Sequence, residues 1–186
     1  MTNIDAAVGA AYLADVARQY RLYKGYVDKA LPRVSDKDLH TELDANSNSI
    51  AVIIKHVSGN LRSRFRDFLT ADGEKPDRHR DTEFEMPDRA SRDELLKWWE
   101  DAWAILFGSI AALTPDDLGR YITIRGEQYL VIEALNRSIA HTASHVGQIV
   151  YLARHFAGDG WTSLTIPKGA SANIKGAFKS DAPKNY

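Results

Sequence analysis

Apolar side chains recur at intervals of three and four in four stretches of the chain, and helix breakers separate the stretches. Leu13, Val16, Tyr20, Tyr23 and Val27 form one buried stripe, which predicts a first helix over 6–31 that Pro32 ends. Val34-Ser35-Asp36-Lys37-Asp38-Leu39 then reads as a capped turn. Ile50, Ile53, Ile54, Val57, Leu61, Phe65 and Phe68 place a second helix at about 47–70, opening near Asn46 to Ser49 and closed by Asp72-Gly73. Ser91 followed by Glu94 is a capping-box pattern, so a third helix runs over 91–113 with Leu95, Trp99, Ala102, Leu106, Ile110 and Leu113 on one face. Trp98 and Trp103 widen that face, and Thr114-Pro115 makes a new cap with proline in first position. The longest stripe, Ile132, Leu135, Ile139, Val146, Ile149, Ala153 and Phe156, predicts a fourth helix over 128–157 before Gly158.

Between these helices the pattern is poorer. Residues 72–90 are charged, contain Pro76 and Pro87 and show no period, which marks a long loop of the kind that borders a site. Tyr121-Ile122-Thr123-Ile124 has β-branched character and predicts a short extended piece. The tail over 159–186 carries Trp161, Leu164 and Ile166-Pro167, with a short helix after Ser171, and is expected to pack back onto the helices. Val34 to Leu39 is echoed by Leu113-Thr114-Pro115-Asp116-Asp117-Leu118, each preceding a histidine-bearing helix, which predicts two helical hairpins facing each other. The fold expected is all-α, one domain over 1–186.

Composition narrows the function. At 186 residues and 44% hydrophobic content the chain suits one filled core. Its 24 basic and 25 acidic residues are mixed in order, with a net charge of −1, so no basic face is offered to a phosphate backbone and nucleic acid is not an expected partner. No run fits a bilayer, and the first eleven residues lack the pattern of a leader, so a cytoplasmic protein is expected. The absence of cysteine excludes disulfides, thiolate ligands and a thiol nucleophile borne by the chain. Thiol chemistry would require an outside thiol.

The candidate chemistry lies in the histidines. His141 and His145 are four apart in the fourth helix, so they project from one face about one turn apart. His56 occupies a matching flank of the second helix beside Ile53. Taken singly, each reads as a histidine at the edge of the core with a hydrogen-bond partner. Taken together, three imidazoles on two facing helices bind Zn²⁺ or another first-row divalent ion and leave a position open. Asn60, one turn beyond His56, and Gln148, on the His145 face, are candidates to orient a ligand, with plain interhelical bonding as the alternative. His155 lies about 21 Å of helix beyond His141 and cannot share an ion with it. His40 and His79 fall in loops. Thr142 follows His141 where a zinc peptidase of the H-E-x-x-H type carries its glutamate, which argues against peptide hydrolysis.

On Lys55-His56-Val57, the turn from Leu113 to Leu118, and His141-Thr142-Ala143-Ser144-His145-Val146-Gly147-Gln148-Ile149, the chain resembles the DinB-like (YfiT-like) superfamily of metal-binding bundles. Asn48-Ser49-Ile50 through Asn60, Asp72-Gly73-Glu74-Lys75-Pro76 and Ser163-Leu164-Thr165-Ile166-Pro167-Lys168-Gly169 look like one bacterial branch of it. The likeness covers nearly the whole chain. It implies a four-helix bundle with an up-down-down-up path, frequent homodimers, and a nickel or zinc ion on the three histidines. Relatives include transferases and isomerases that use bacillithiol, mycothiol or glutathione.

Three functions follow as expectations. The first is a metal-dependent transferase that binds a low-molecular-weight thiol as thiolate and passes it to a small electrophile under the 72–90 loop. The second is hydrolysis by metal-bound water, for which the nearest helical carboxylate, Glu133, is two turns from His141. The third is a non-catalytic bundle with a structural metal or none, in which Trp98, Trp99 and Trp103 form a dimer face or simply fill the core.

Overall fold

Asp5 starts the first long helix by accepting the N–H groups of Ala7 and Val8, at 2.9 and 3.2 Å. A computed structural model describes residues 5–86 and 89–173 of the chain. The described residues are mainly helical, with one two-stranded sheet. The helices are α1 (Ala6–Ala30), the one-turn α2 (Asp36–Leu39), α3 (Ile50–Phe65), α4 (Arg92–Ala111) and α5 (Val131–Ala157). The strands are β1 (Tyr121–Ile124) and β2 (Glu127–Leu130).

Caps account for most helix starts. Ser35 and Ser49 accept from Asp38 and Val52, and Ser91 and Glu94 close the reciprocal box that opens α4. Two expected helices are too long. The second stops at Phe65 because Arg66 turns extended and Asp67 adopts a positive φ of 51°. Phe68, which continued the apolar period, is buried by packing on Phe65 at a ring distance of 5.1 Å rather than by lying on the helix. The fourth starts at Val131, because residues 127–130 pair with β1 as an antiparallel strand. Arg125 and Gly126, with φ of 57° and 77°, make the two-residue turn that the twist of such a hairpin prefers.

Each long helix packs on two others. α3 lies along α4, α1 along α5, and the further contacts join α3 to α5 and α1 to α4. Ser109 donates to the carbonyl of Phe65 at 2.5 Å, so the C-terminal ends of α3 and α4 meet and the two run parallel. Tyr12 donates to Asn136 at 2.8 Å and Arg33 to the Thr162 carbonyl at 2.6 Å, which ties α1 and α5 at both ends, also parallel. Arg92, at the start of α4, donates to the Leu31 and Val34 carbonyls just past the end of α1, at 3.1 and 2.6 Å, so these two run opposite. The expected hairpins of α1 with α3 and of α4 with α5 therefore do not form; the main pairs are α3 with α4 and α1 with α5. A parallel neighbour requires a long return, and residues 66–91 make it.

The core holds Tyr20 edge-on to Phe65 and Trp103, with ring centroids 6.1 and 5.9 Å apart. Trp99 and Trp103 are fully buried, and Trp99 donates to Asp28 at 3.0 Å, so the two are core residues and not an exposed dimer face. Trp98 is half-buried. After α5 the chain packs back as expected: Leu164 is buried and Arg33 lies over the Trp161 ring at 5.1 Å. The helix expected after Ser171 is a 3-10 turn at Ser171–Asn173, and 174–186 of the expected tail, like residues 1–4 of the expected domain, lie outside the described residues. Among the described residues no helix is long and apolar enough to cross a membrane.

Candidate metal centre

α3 and α5 face each other where each carries histidine. His56 is buried in the middle of α3, and His141 and His145 stand one turn apart on α5, half-buried. One nitrogen from each of the three lies within 4.8 Å of the others. The Nε2 atoms of His56 and His141 are 3.2 Å apart. Two nitrogens bound to one tetrahedral ion at about 2.05 Å would stand about 3.3 Å apart, so this spacing suits a shared cation. The chain thus brings together the three histidines that spacing singled out.

The outer ring nitrogens set which atoms face inward. His56 Nδ1 meets Glu83 Oε2 at 2.8 Å, and His145 Nδ1 meets Gln148 Oε1 at 3.0 Å. An ionised carboxylate and an amide oxygen only accept, so both Nδ1 atoms carry the proton and both Nε2 atoms present lone pairs. This is the arrangement by which proteins orient metal-bound imidazole. His141 Nδ1 is buried with no hydrogen-bond partner among the described residues. Without an ion, His141 must donate from Nε2 to His56, which leaves that buried Nδ1 bare.

Electrostatics favours the neutral form of the two donors on α5. Burial, followed by the neighbouring His145, His56, Arg78 and Arg64, holds the His141 pKa down to about 4. His145 is lowered by burial and by His56, against the opposing effect of Gln148. Burial would raise the Glu83 pKa, but the hydrogen bonds from His56 and Arg78 outweigh it and keep the carboxylate ionised. Neutral imidazoles backed by a carboxylate can hold a divalent ion without first losing protons.

Glu83 was not among the residues the pattern singled out. It lies in the 3-10 helix Arg80–Phe84 of the crossover, is buried, and is gripped by Arg78 through Nε at 2.8 Å and Nη2 at 2.9 Å. Gly59 makes room for it, since a Cβ there would stand 2.3 Å from Glu83 Oε1. The charged segment is partly drawn inside: Lys75 and Glu83 are buried, although His79 is exposed. Phe84 covers His56 with ring centroids 4.5 Å apart.

The three histidines open onto a cavity of about 410 Å³. Phe65, Phe68, Phe84 and Ile124 give it apolar walls, and Asn60 lines it without bonding to any of the three rings. Gln148 is thus bonded to the His145 ring, whereas Asn60 is near the three rings only as a wall. A second cavity of about 330 Å³ lies on the other flank of α3, lined by Lys55, Lys75 and Trp98, and none of the three histidines reaches it. His155 is exposed, and His40 bonds the Ala90 carbonyl at 3.0 Å, so neither joins the centre.

Residues 7–170 match the model of a family described as Protein of unknown function (DUF1572). The chain belongs to that family. The match takes in the four long helices, the crossover with Glu83 and all three histidines. No curated protein matches the chain.

Proposed function

We propose that this DUF1572 chain is a metal-dependent enzyme of the DinB-like kind, holding one divalent ion, Zn²⁺ or Ni²⁺, on His56, His141 and His145. The carrying observation is that His56 turns one nitrogen to a buried carboxylate and the other toward His141, at the edge of a cavity large enough for a small ligand. A buried carboxylate on the outer nitrogen of an imidazole is expected of a ligand set, and here the same carboxylate also neutralises Arg78.

The helix contacts support the bundle part of the reading. α1, α5, α3 and α4 form a closed ring of neighbours, and the bonded ends described above fit an up-down-down-up path. The three histidines support three protein ligands with a fourth position left to a ligand in the cavity.

The reaction proposed is transfer of a low-molecular-weight thiol to a small electrophile. When bound, the ion supplies a Lewis acid that stabilises the thiolate form of such a cosubstrate. The chain's own part is to hold three imidazoles, orient those of His56 and His145 through Glu83 and Gln148, and shield the site with Phe84. The chain has no cysteine, so the sulfur comes from the cosubstrate.

Metal analysis of the purified protein, run beside His56→Ala and His141→Ala, tests the ion. A panel of thiols with a generic electrophile then tests the reaction. Turnover needing both metal and thiol supports transfer, turnover with metal alone moves the assignment to hydrolysis, and bound metal without turnover leaves a non-catalytic bundle.

A further inference from the structure

The cavity beside the histidines is walled by five arginines, Arg64, Arg78, Arg80, Arg125 and Arg137. Few carboxylates answer them. Glu74 serves three, meeting Arg64 at 2.8 Å, Arg125 at 3.0 Å and Arg78 at 3.3 Å, while Glu83 is shared between Arg78 and His56. Asp72 is occupied with the backbone N–H groups of Glu74, Arg125 and Gly126.

Two guanidinium groups at the mouth are left over. Among the described residues Arg80 makes one ion pair, with Asp81 at 3.3 Å, whose side chain is 94% exposed, and such a pair is worth little; its guanidinium also lies 5.0 Å from the Phe84 ring centroid. Arg137 makes no ion pair among the described residues, and its guanidinium lies 5.6 Å from the Tyr129 ring centroid. Both arginines are exposed, so they are free to move onto a ligand. Arg137 stands one turn before His141 on the same face of α5, about 6 Å along the axis. Beside it, Ser138 is buried with its hydroxyl against that of Tyr20. An excess of positive charge around one concavity favours an anion.

We propose that the ligand entering this cavity carries a fixed anionic group, carboxylate or phosphate, which Arg80 and Arg137 bind at the mouth while the rest of the molecule reaches the three histidines. The proposal rests on reading the cavity as the substrate site, but it does not require that the substrate be a thiol. Arginine binds either anion through paired N–H donors, so the two chemistries share the same contacts.

Calorimetric titration tests it, with succinate, inorganic phosphate and the neutral analogue succinamide as probes, on metal-free and metal-loaded protein. The expected result is binding of succinate or phosphate and not of succinamide. Arg80→Gln and Arg137→Gln should each weaken the anion about tenfold, and the double variant more. The stronger of succinate and phosphate identifies the anionic group. Equal binding of succinate and succinamide, anion binding unaltered in the double variant, or no anion binding at millimolar concentration would overturn the proposal. Metal stoichiometry of the double variant separates the two readings. Metal retained with anion binding lost supports both, whereas anion binding by a protein that takes up no metal sustains this inference and removes the metal assignment.

Discussion

Glu83 Oε2 receives the Nδ1–H of His56 at 2.8 Å, while its other oxygen takes Arg78 Nε at 2.8 Å. One carboxylate from the crossover thus neutralises a buried guanidinium and fixes the tautomer of a buried imidazole on α3. Glu83→Gln keeps the shape and an accepting oxygen but removes the charge. Its metal affinity, measured by competition with a chelator, should fall between about 10- and 100-fold. Glu83→Ala should in addition unfold at lower denaturant, by about 3 kcal/mol, because Arg78 is left buried beside an empty place. Unchanged affinity in Glu83→Gln would show that the carboxylate serves Arg78 alone.

Gly59 tests the same contact from the other side. Alanine in a helix interior is normally favoured over glycine by about 1 kcal/mol. Here the added Cβ would meet Glu83 Oε1 at 2.3 Å and Cδ at 2.8 Å, so the carboxylate must retreat from His56. Gly59→Ala should therefore lower the melting temperature and weaken metal binding, against its helix propensity. A more stable variant with normal metal affinity would mean that the crossover yields freely.

How much of this was readable in the chain depends on the range of the forces involved. The stripes of α1, α4 and α5 are local patterns backed by caps such as Ser91 with Glu94, and they survive folding with shifts of a few residues. The overrun past Phe65 came from Phe68, which is buried by a turn that the apolar period cannot signal. Gln128, Tyr129 and Leu130 read as helix because they lead directly into the α5 stripe, and only pairing with β1 draws them out. The histidines were legible because helical spacing puts two on one face and the core stripe locates the third. Glu83 was not, since an acid in a charged loop looks solvated until a partner 27 residues away desolvates it. The glycine at position 59, inside the α3 pattern, was the one local hint of a close approach.

Metal should stabilise the fold through the same three residues. A ligand at 100 times its Kd adds about 2.7 kcal/mol to stability, which for a chain of this size raises the melting temperature by roughly 5–10 °C. Thermal melts with and without Zn²⁺ or Ni²⁺ should show that rise in the wild type and lose it in His56→Ala, His141→Ala and His145→Ala. An equal rise in all three variants would place the ion elsewhere.

Acidity should act on the metal-free protein before it acts on the carboxylates. The folded pKa of His141 lies at about 4, below its unfolded value near 6.5, and that of His145 is also lowered. Between those values the unfolded chain binds protons that the folded one does not, so stability rises with pH and is lost as pH falls from about 6.5 toward 4. The window from about 6.5 to 5 isolates the histidines, since ordinary carboxylates titrate lower. Urea unfolding in the presence of chelator at pH 7, 6 and 5 should show the decline, and His141→Asn should flatten it. A wild-type stability constant across that window would remove the claim that these rings are held neutral.

Asp72 holds the hairpin to the crossover, which matters because both Ile124 and Arg78 line the same cavity. Its Oδ1 accepts from Glu74 N at 2.7 Å and Arg125 N at 2.9 Å, and its Oδ2 from Gly126 N at 2.9 Å. Those bonds outweigh a partial burial that alone would raise its pKa, so the group is ionised and its acceptors are charged. Asp72→Ala should cost about 2–3 kcal/mol and release the turn, with Gly73 N to Thr123 O at 2.8 Å as the remaining backbone tie. Amide hydrogen exchange at Arg125 and Gly126 should accelerate in the variant while the amides of α3 stay protected. If the turn amides keep their protection, packing of Ile124 against Gly73, and not the carboxylate, is what holds this wall of the cavity in place.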